Sequence, residues 1–332
     1  MKVTFFSTKP YDKEHFDRIN KDFHFKFDYY ETHLGPHIVN VIEKSDAICA
    51  FVNDKLNADV LEVLASKGVK YIAMRCAGFN NVDLDAAKRL GLRICRVPAY
   101  SPQAVAEHAM ALILTLNRKT NKAYNRVREQ NFSLNGLTGF NIHGKTIGIV
   151  GTGNIGQAFY DVISGFGCKI IAYDVYQNPR LVEAGVEYLP LEEVFAQSDI
   201  ISLHCPLMES THHMINKESI KHMKKGVMII NTSRGGLIDT KAVIHGLKHK
   251  QIGHLGIDVY EQEEKLFFRD LSHAIIEDDT IQLLMSFPNV LVTAHQAFLT
   301  REALEEIAIT TLTNLRHFQK KEDFENKAAL LV

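Results

Sequence analysis

The sequence predicts an α/β protein of two domains, each built on a mostly parallel sheet. Three observations carry this: a length of 332 residues, long for a single core; short apolar runs that alternate with helical patterns through the first 100 residues; and a second series of such runs beginning at Thr146. Strands separated by amphipathic crossovers give parallel sheets covered on both faces.

Taken in order, apolar runs at 3–6, 47–52, 71–76 and 92–97 read as strands, with helical patterns at 59–67 and 83–90 between them. They make a small α/β domain over residues 1–100. Ser101 can then cap a helix that opens on Pro102. Val105, Ala109, Leu112, Ile113 and Leu116, followed by Arg118, Lys119 and Lys122, predict one long helix reaching towards Arg128, a bridge between domains. The stretch 130–145, rich in Asn and Gly, reads as a loop or arm.

From 101 to 298 a second domain is expected, with six candidate strands at 146–150, 169–173, 200–203, 227–231, 254–257 and 290–293. That number matches a doubly wound dinucleotide-binding sheet. Leu304, Ile307, Ala308, Thr311, Leu312 and Leu315 mark one face of a helix over 300–318. The segment 299–332 is expected to return to the first domain, giving the two chain crossings that a closing cleft needs.

Composition narrows the function. With 46% apolar and 23% charged residues the chain has an ordinary globular balance, and a net charge of -1 gives no overall pull towards nucleic acid or an anionic membrane. The five cysteines, at 49, 76, 95, 168 and 205, show no metal-ligand spacing and read as small core residues in a reducing compartment. The N-terminus lacks the apolar length of a secretion signal, and no run reaches the ~20 residues that span a bilayer, so a cytoplasmic chain is expected.

Four strand ends carry candidate chemistry. Gly151, Gly153 and Gly156 follow the strand at 146–150 and open a helical pattern. Such spacing also occurs in ordinary turns, but after a strand and before a helix it presents backbone N–H groups to a pyrophosphate. Asp174 ends the next strand, where a carboxylate bonds a ribose diol and repels a 2'-phosphate, and no Arg or Lys follows before Arg180. NAD is therefore expected over NADP, on a Rossmann sheet.

Arg234, between a strand end and Gly235-Gly236, reads equally as a carboxylate-binding fork or as a solvated surface arginine. Asp258 closes a further strand, and Glu261, Glu263 and Glu264 beyond it form an acidic group that would ordinarily be a solvated loop. His295 follows the last strand; one histidine in such a place is more often structural than catalytic. What distinguishes it is company at one sheet edge.

The ordered set Arg75-Cys-Ala-Gly-Phe-Asn-Asn-Val-Asp83, Val97-Pro-Ala-Tyr-Ser-Pro102, Val105-Ala-Glu-His108, Gly151-x-Gly-x-x-Gly156, Ser202-Leu-His-Cys-Pro206, Asn231-Thr-Ser-Arg-Gly235, Asp258-Val-Tyr-Glu261 and Thr293-Ala-His-Gln-Ala-Phe298 resembles the D-2-hydroxyacid dehydrogenase family over nearly the whole chain. Within the family it is most similar to the bacterial fermentative D-lactate dehydrogenases. The resemblance implies a smaller flavodoxin-like substrate domain beside the Rossmann domain, with a cleft between them, NAD as cofactor and a small 2-keto or 2-hydroxy acid as substrate. It implies reduction of pyruvate by hydride transfer, no metal, and a homodimer or larger homo-oligomer built through the cofactor domains.

It further implies that Arg234 binds the substrate carboxylate, that His295 is the acid/base, and that Glu263, five residues after Asp258, orients it. The backbone of Cys76, Ala77 and Gly78 would share the substrate, while Tyr100, Phe298 and Phe51 would wall its pocket; Phe51 reads equally as core packing. Cofactor contacts carried by the resemblance are Gly151, Gly153, Asn154, Ile155, Gly156, Asp174, Cys205, Pro206, Thr232, Ser233, Arg234 and Asp258. Glu263 departs from the Gln of formate dehydrogenases. The fourteen residues after the 300–318 helix leave no room for the regulatory domain of many phosphoglycerate dehydrogenases.

Overall fold

The computed structural model describes residues 1–332, apart from the side chain of Lys265. It divides into two compact units, Met1–Ser101 with Leu299–Val332, and Pro102–Phe298.

The first unit has five parallel strands, β1 (Lys2–Phe5), β2 (Lys26–Tyr29), β3 (Ala47–Ala50), β4 (Tyr71–Met74) and β5 (Arg93–Arg96), in the spatial order β2-β1-β3-β4-β5. This is the flavodoxin-like order. Alternate residues serve opposite faces. Phe6, Ile48, Ile72, Met74 and Ile94 pack on the side of helix Ala58–Ser66, whereas Val3, Phe5, Cys49 and Cys95 are fully buried on the other. Helices Pro10–Ile19 and Arg301–Lys320 belong to this unit, and the latter lies on β4 and β5, with Phe318 stacked on Tyr71 at 5.1 Å. The chain end is tied to β5 by Leu331 N–H donating to the Ile94 carbonyl at 2.9 Å.

The second unit has seven parallel strands, β6 (Thr146–Val150), β7 (Lys169–Tyr173), β8 (Glu187–Tyr188), β9 (Ile200–Leu203), β10 (Val227–Asn231), β11 (Ile252–Ile257) and β12 (Val290–Val292). Their order is β12-β11-β10-β9-β6-β7-β8. Reading from β8, this is the doubly wound dinucleotide arrangement of six strands with β12 added at one edge. Ile147, Ile149, Ile200, Met228 and Ile230 meet helix Pro102–Arg118 on one face, while Ile201, Leu203, Ile229, Leu255 and Ile257 fill the other. Neither face is polar, as a sheet buried on both sides requires.

Two glycines set how closely helix Asn154–Ile163 approaches the sheet. A Cβ on Gly156 would lie 2.0 Å from the Gly151 carbonyl oxygen, and one on Gly151, whose φ is +95°, would lie 2.5 Å from the Cys205 nitrogen. Any side chain at either position separates the turn from its neighbours.

The structure corrects the sequence expectation in three places. The helix from Pro102 does not run on to Arg128: it stops at Arg118, Lys119 takes a left-handed φ of 51°, and a separate helix spans Thr120–Arg128. Strand β2 is formed by residues with no apolar run, and β8 is two residues long, so neither has a sequence signature. No helix is long and apolar enough to cross a membrane among the described residues.

Beneath the β9 end, His204 is 9% exposed, with its Nε2 2.9 Å from the Ser202 hydroxyl and its ring 4.8 Å from Phe159. Burial lowers its pKa from 6.5 to about 3. In that window the unfolded chain takes up a proton that the folded chain does not. This contribution to stability is complete above pH 6.5 and declines by about 1.4 kcal/mol per pH unit as the pH falls towards 3. His204→Leu should flatten the acid limb of a stability curve measured by urea denaturation across this window; an unchanged slope would show that His204 does not set it.

Candidate active site

All strands of the second sheet are parallel, so the ends of β6, β7, β9, β10, β11 and β12 share one edge. The strand order reverses between β6 and β9, which opens a crevice at that edge. Backbone hydrogen bonds sew the loops together there. Gly151 N–H donates to Tyr173 at 2.8 Å, His204 N–H to Val150 at 2.7 Å, Asp258 N–H to Asn231 at 3.0 Å and Thr293 N–H to Ile257 at 2.9 Å.

At the glycine turn, a Cβ on Gly153 would meet nothing within 4 Å, and no side chain caps the helix that begins at Asn154. The first N–H groups, among them those of Asn154 and Ile155, thus face open space. Asp174 sits beside them, its Oδ2 accepting from Thr152 N–H at 2.5 Å and from the Thr152 hydroxyl at 3.1 Å, and its Oδ1 from Tyr176 N–H at 3.2 Å. Arg180, the nearest basic residue downstream, pairs bidentately with Asp161, at 2.7 and 3.0 Å. Across the crevice Cys205 is buried and its carbonyl accepts from the Ser233 hydroxyl at 2.7 Å. The Thr232 hydroxyl is buried with no protein partner. An open cradle of N–H groups, an acid at its rim and an orphaned hydroxyl fit a dinucleotide with an unmodified ribose.

Arg234 follows Asn231-Thr-Ser, a turn closed by Asn231, whose Nδ2 donates to the Arg234 carbonyl at 2.8 Å and whose Oδ1 accepts from Ser233 N–H at 3.0 Å. Its guanidinium donates to the Ser233 carbonyl at 2.8 Å, and no carboxylate pairs with it among the described residues. A Cβ on Gly235 would fall 2.2 Å from the Tyr260 carbonyl carbon, so the Arg234 turn rests directly on the backbone that leads to Glu263.

The carboxylate of Asp258 is completely buried, yet it is held ionised. Burial raises its pKa, and hydrogen bonds from His108, Thr293, Ala297 and Gln296 outweigh that and lower it. Its Oδ1 accepts from the Thr293 hydroxyl at 2.5 Å and from Gln296 N–H at 2.9 Å, and its Oδ2 from Ala297 N–H at 2.8 Å. His108, on helix Pro102–Arg118, places Nε2 3.1 Å from the Thr293 hydroxyl. His295 N–H donates to the Asp258 carbonyl at 2.7 Å, and His295 itself has a left-handed φ of 53°. Its imidazole Nδ1 lies 2.7 Å from Glu263 Oε1, while Glu263 Oε2 accepts from Tyr260 N–H at 3.0 Å.

The acidic group thus has three different members. Glu263 orients the His295 ring, Glu261 contacts His213 at 2.6 Å, and only Glu264 matches the solvated loop that the sequence suggests.

In the first unit, Phe51, Cys76, Ala77 and Gly78 follow the ends of β3 and β4, and Tyr100 lies beyond β5. Arg75 packs against Phe51. It is 2% exposed, donates to the carbonyls of Phe6 and Ser7 at 2.9 and 2.7 Å, and places its guanidinium 4.8 Å from the centre of the Phe51 ring. Asp54, also buried, accepts from Phe51 N–H at 2.6 Å and from Leu34 N–H at 2.7 Å. Arg96 donates to the Ala77 carbonyl at 2.9 Å, and the Cys76 thiol to that of Gly78 at 3.3 Å. Phe298, in the second unit, is buried just past Ala297. Sequence reading assigned no role to Arg75, Asp54, His108 or Thr293. An arginine within an apolar run was the available signal for the first, since a buried cation needs partners.

An Asp258→Asn chain would keep the shape of the side chain but turn an amide N–H₂ towards donors. One of them loses its acceptor, at a cost of about 1–3 kcal/mol. The 293–297 turn should loosen, seen as faster amide exchange at Gln296 and Ala297; unchanged protection would show that the carboxylate does not hold the turn.

Residues 110–297 match the family described as D-isomer specific 2-hydroxyacid dehydrogenase, NAD binding domain. The chain is 51% identical to D-lactate dehydrogenase of Escherichia coli, over 98% of this chain and 99% of that protein. A structure titled as the pyruvate reductase of Chlamydomonas reinhardtii superimposes with a TM-score of 0.93 at 45% identity, covering 98% of both chains. D-Lactate dehydrogenase from Aquifex aeolicus, complexed with NAD and lactic acid, gives 0.87 at 35% identity over 99% of both. With a family match spanning the second unit and relatives aligned from end to end, the chain belongs to the D-isomer specific 2-hydroxyacid dehydrogenases and takes NAD as its cofactor.

Proposed function

We propose that the protein is a D-lactate dehydrogenase that reduces pyruvate with NADH, reversibly. The observation that carries this reading is the His295–Glu263 contact of 2.7 Å, placed on the same sheet edge as Arg234 and the glycine turn. Relatives named for this activity or for pyruvate reduction support it.

NADH, when bound, supplies the hydride. The cradle of Gly151, Gly153, Asn154, Ile155 and Gly156 takes its pyrophosphate, Asp174 a ribose diol, and Cys205, Pro206, Thr232 and Ser233 the opposite wall of the crevice. Asp258, with both oxygens used inside the protein, acts as a positioning residue for the turn that carries His295.

Arg234 presents a planar fork to the carboxylate of the keto acid and polarises the C2 carbonyl. Nδ1–H of His295 donates to Glu263, which leaves Nε2 to hand a proton to the oxygen at C2 as it becomes an alkoxide. We assign further substrate contacts to the backbone of Cys76, Ala77 and Gly78 and to the rings of Phe51, Tyr100 and Phe298; bulky rings favour a methyl group at C2 over larger substituents. Residues 1–100 with 299–332 form the substrate domain and 101–298 the NAD domain. We place the enzyme in the cytoplasm as a homodimer or larger homo-oligomer. Support for assembly comes from Phe132 and Leu134, 72% and 80% exposed on the 130–145 arm.

Loss of NADH absorbance with pyruvate, together with the chirality of the product, tests the reading. Binding of NADH without turnover of pyruvate, 2-ketobutyrate, oxaloacetate or phenylpyruvate would leave a nucleotide-binding scaffold instead. Turnover with a preference for phenylpyruvate would assign a dehydrogenase of bulkier acids.

His295→Ala should lower kcat on the order of 10²–10⁴-fold, the usual contribution of a positioned acid, with NADH affinity nearly unchanged. Arg234→Lys should cost roughly 10²-fold in kcat/KM, because an ammonium cannot reproduce the two parallel bonds. Wild-type kcat/KM in that variant would remove Arg234 from the site.

A further inference from the structure

We propose that His212, His213 and Glu261 form a binding site for a transition-metal dication, Zn²⁺ by ligand chemistry, separate from the catalytic pair. One ligand atom from each side chain lies within 4.8 Å of the others.

Consecutive side chains ordinarily diverge. Here His213 takes a left-handed φ of 51°, and the two rings stack at 3.9 Å with 24° between their planes. The surrounding structure fixes this arrangement. His213 N–H donates to the Gly236 carbonyl at 2.8 Å, and Asn216 Nδ2 to the His213 carbonyl at 2.9 Å.

The third ligand comes from another loop. Glu261, beyond β11, brings Oε1 to 2.6 Å from His213 Nε2, and the Thr240 hydroxyl reaches its Oε2 at 3.4 Å. A hydroxyl on the non-ligating oxygen is the kind of outer contact that orients a metal ligand. Tetrahedral zinc with bonds of about 2.0–2.2 Å needs donor atoms roughly 3.4 Å apart. The three atoms already lie within 4.8 Å of one another, so reaching that spacing calls for shifts of about 1–1.5 Å, with the metal replacing the His213–Glu261 hydrogen bond. Two imidazoles and one carboxylate leave a fourth position for water and favour zinc over magnesium or calcium, which prefer all-oxygen sites.

Occupancy would pin the 206–215 loop to the turn that follows Asp258. Because Gly236 anchors His213 and Gly235 abuts Tyr260, the metal would clamp both sides of the Arg234 turn. A second stacked histidine pair, His245 and His249, is a natural control. Its rings are 4.0 Å apart, but His249 Nδ1 contacts the His245 carbonyl and no third ligand joins them among the described residues.

The test is calorimetric titration of the full-length protein with zinc chloride, in wild type, His212→Gln, Glu261→Gln and the double variant His245→Gln/His249→Gln. His212 and Glu261 are exposed, so these substitutions spare the core. One zinc should bind per chain in wild type and in the double variant, with affinity reduced about tenfold or more in His212→Gln and in Glu261→Gln. Zinc should raise the Tm of wild type but not of those two variants. Unchanged zinc affinity in both single variants, loss of binding in the double variant, or no heat of binding in wild type would each overturn the assignment, whatever the protein's activity on keto acids.

Discussion

The candidate active-site edge depends on one buried charge. Asp258 directly follows β11 with no exposure to solvent, where an ionised carboxylate is costly unless its lone pairs are occupied. They are occupied by the turn that carries the histidine: the Thr293 hydroxyl and the N–H groups of Gln296 and Ala297 all point at it. The same residue accepts His295 N–H through its backbone carbonyl. The turn is thereby wrapped around a fixed acceptor, and a left-handed conformation at His295, uncommon for a residue with a side chain, is over-determined by its surroundings. The orientation of the imidazole follows from this backbone constraint first and from Glu263 second.

The proposed nucleotide cradle rests on a different physical device, the removal of side chains. At Gly151 and Gly156 a Cβ would collide with backbone at 2.5 and 2.0 Å, so the turn can be this tight only without one. At Gly153 the space is open, which leaves the backbone accessible to a ligand. Two glycines therefore serve packing and one serves approach. Asp174 connects the two functions, since its carboxylate holds Thr152 within the turn while standing at the rim of the crevice.

The parts of this protein that were legible in sequence are those governed by local pattern. All six strands expected from 146 onward, and the four expected in the first unit, lie within a residue or two of their places because buried parallel strands leave apolar runs. Strand β2 and the two-residue β8 left none: Lys26-Phe-Asp-Tyr pairs with β1 through its backbone while its side chains stay partly exposed. The break at Lys119 was equally silent, because a lysine in a left-handed conformation follows from tertiary packing and not from propensity. Candidate residues at strand ends could be picked out, but their partners could not. That Asp258 holds the turn of His295 requires two residues 37 positions apart to meet, and the bond from Glu263 to His295 spans 32.

The same distant contacts join the proposed substrate anchor to the proposed acid/base. Gly235 lets the Arg234 turn lie against the backbone of Tyr260, whose N–H donates to Glu263 Oε2, and Glu263 Oε1 in turn meets His295. A shift of the Arg234 turn away from the sheet edge would therefore act on the histidine through two well-packed steps, without any direct contact between the two side chains. A hydride acceptor must be held against its carboxylate anchor and its proton donor at once, and reaction rates are sensitive to misplacements of about 1 Å. Building both groups onto one wall makes their separation a property of the sheet edge instead of a sum of independent loop positions.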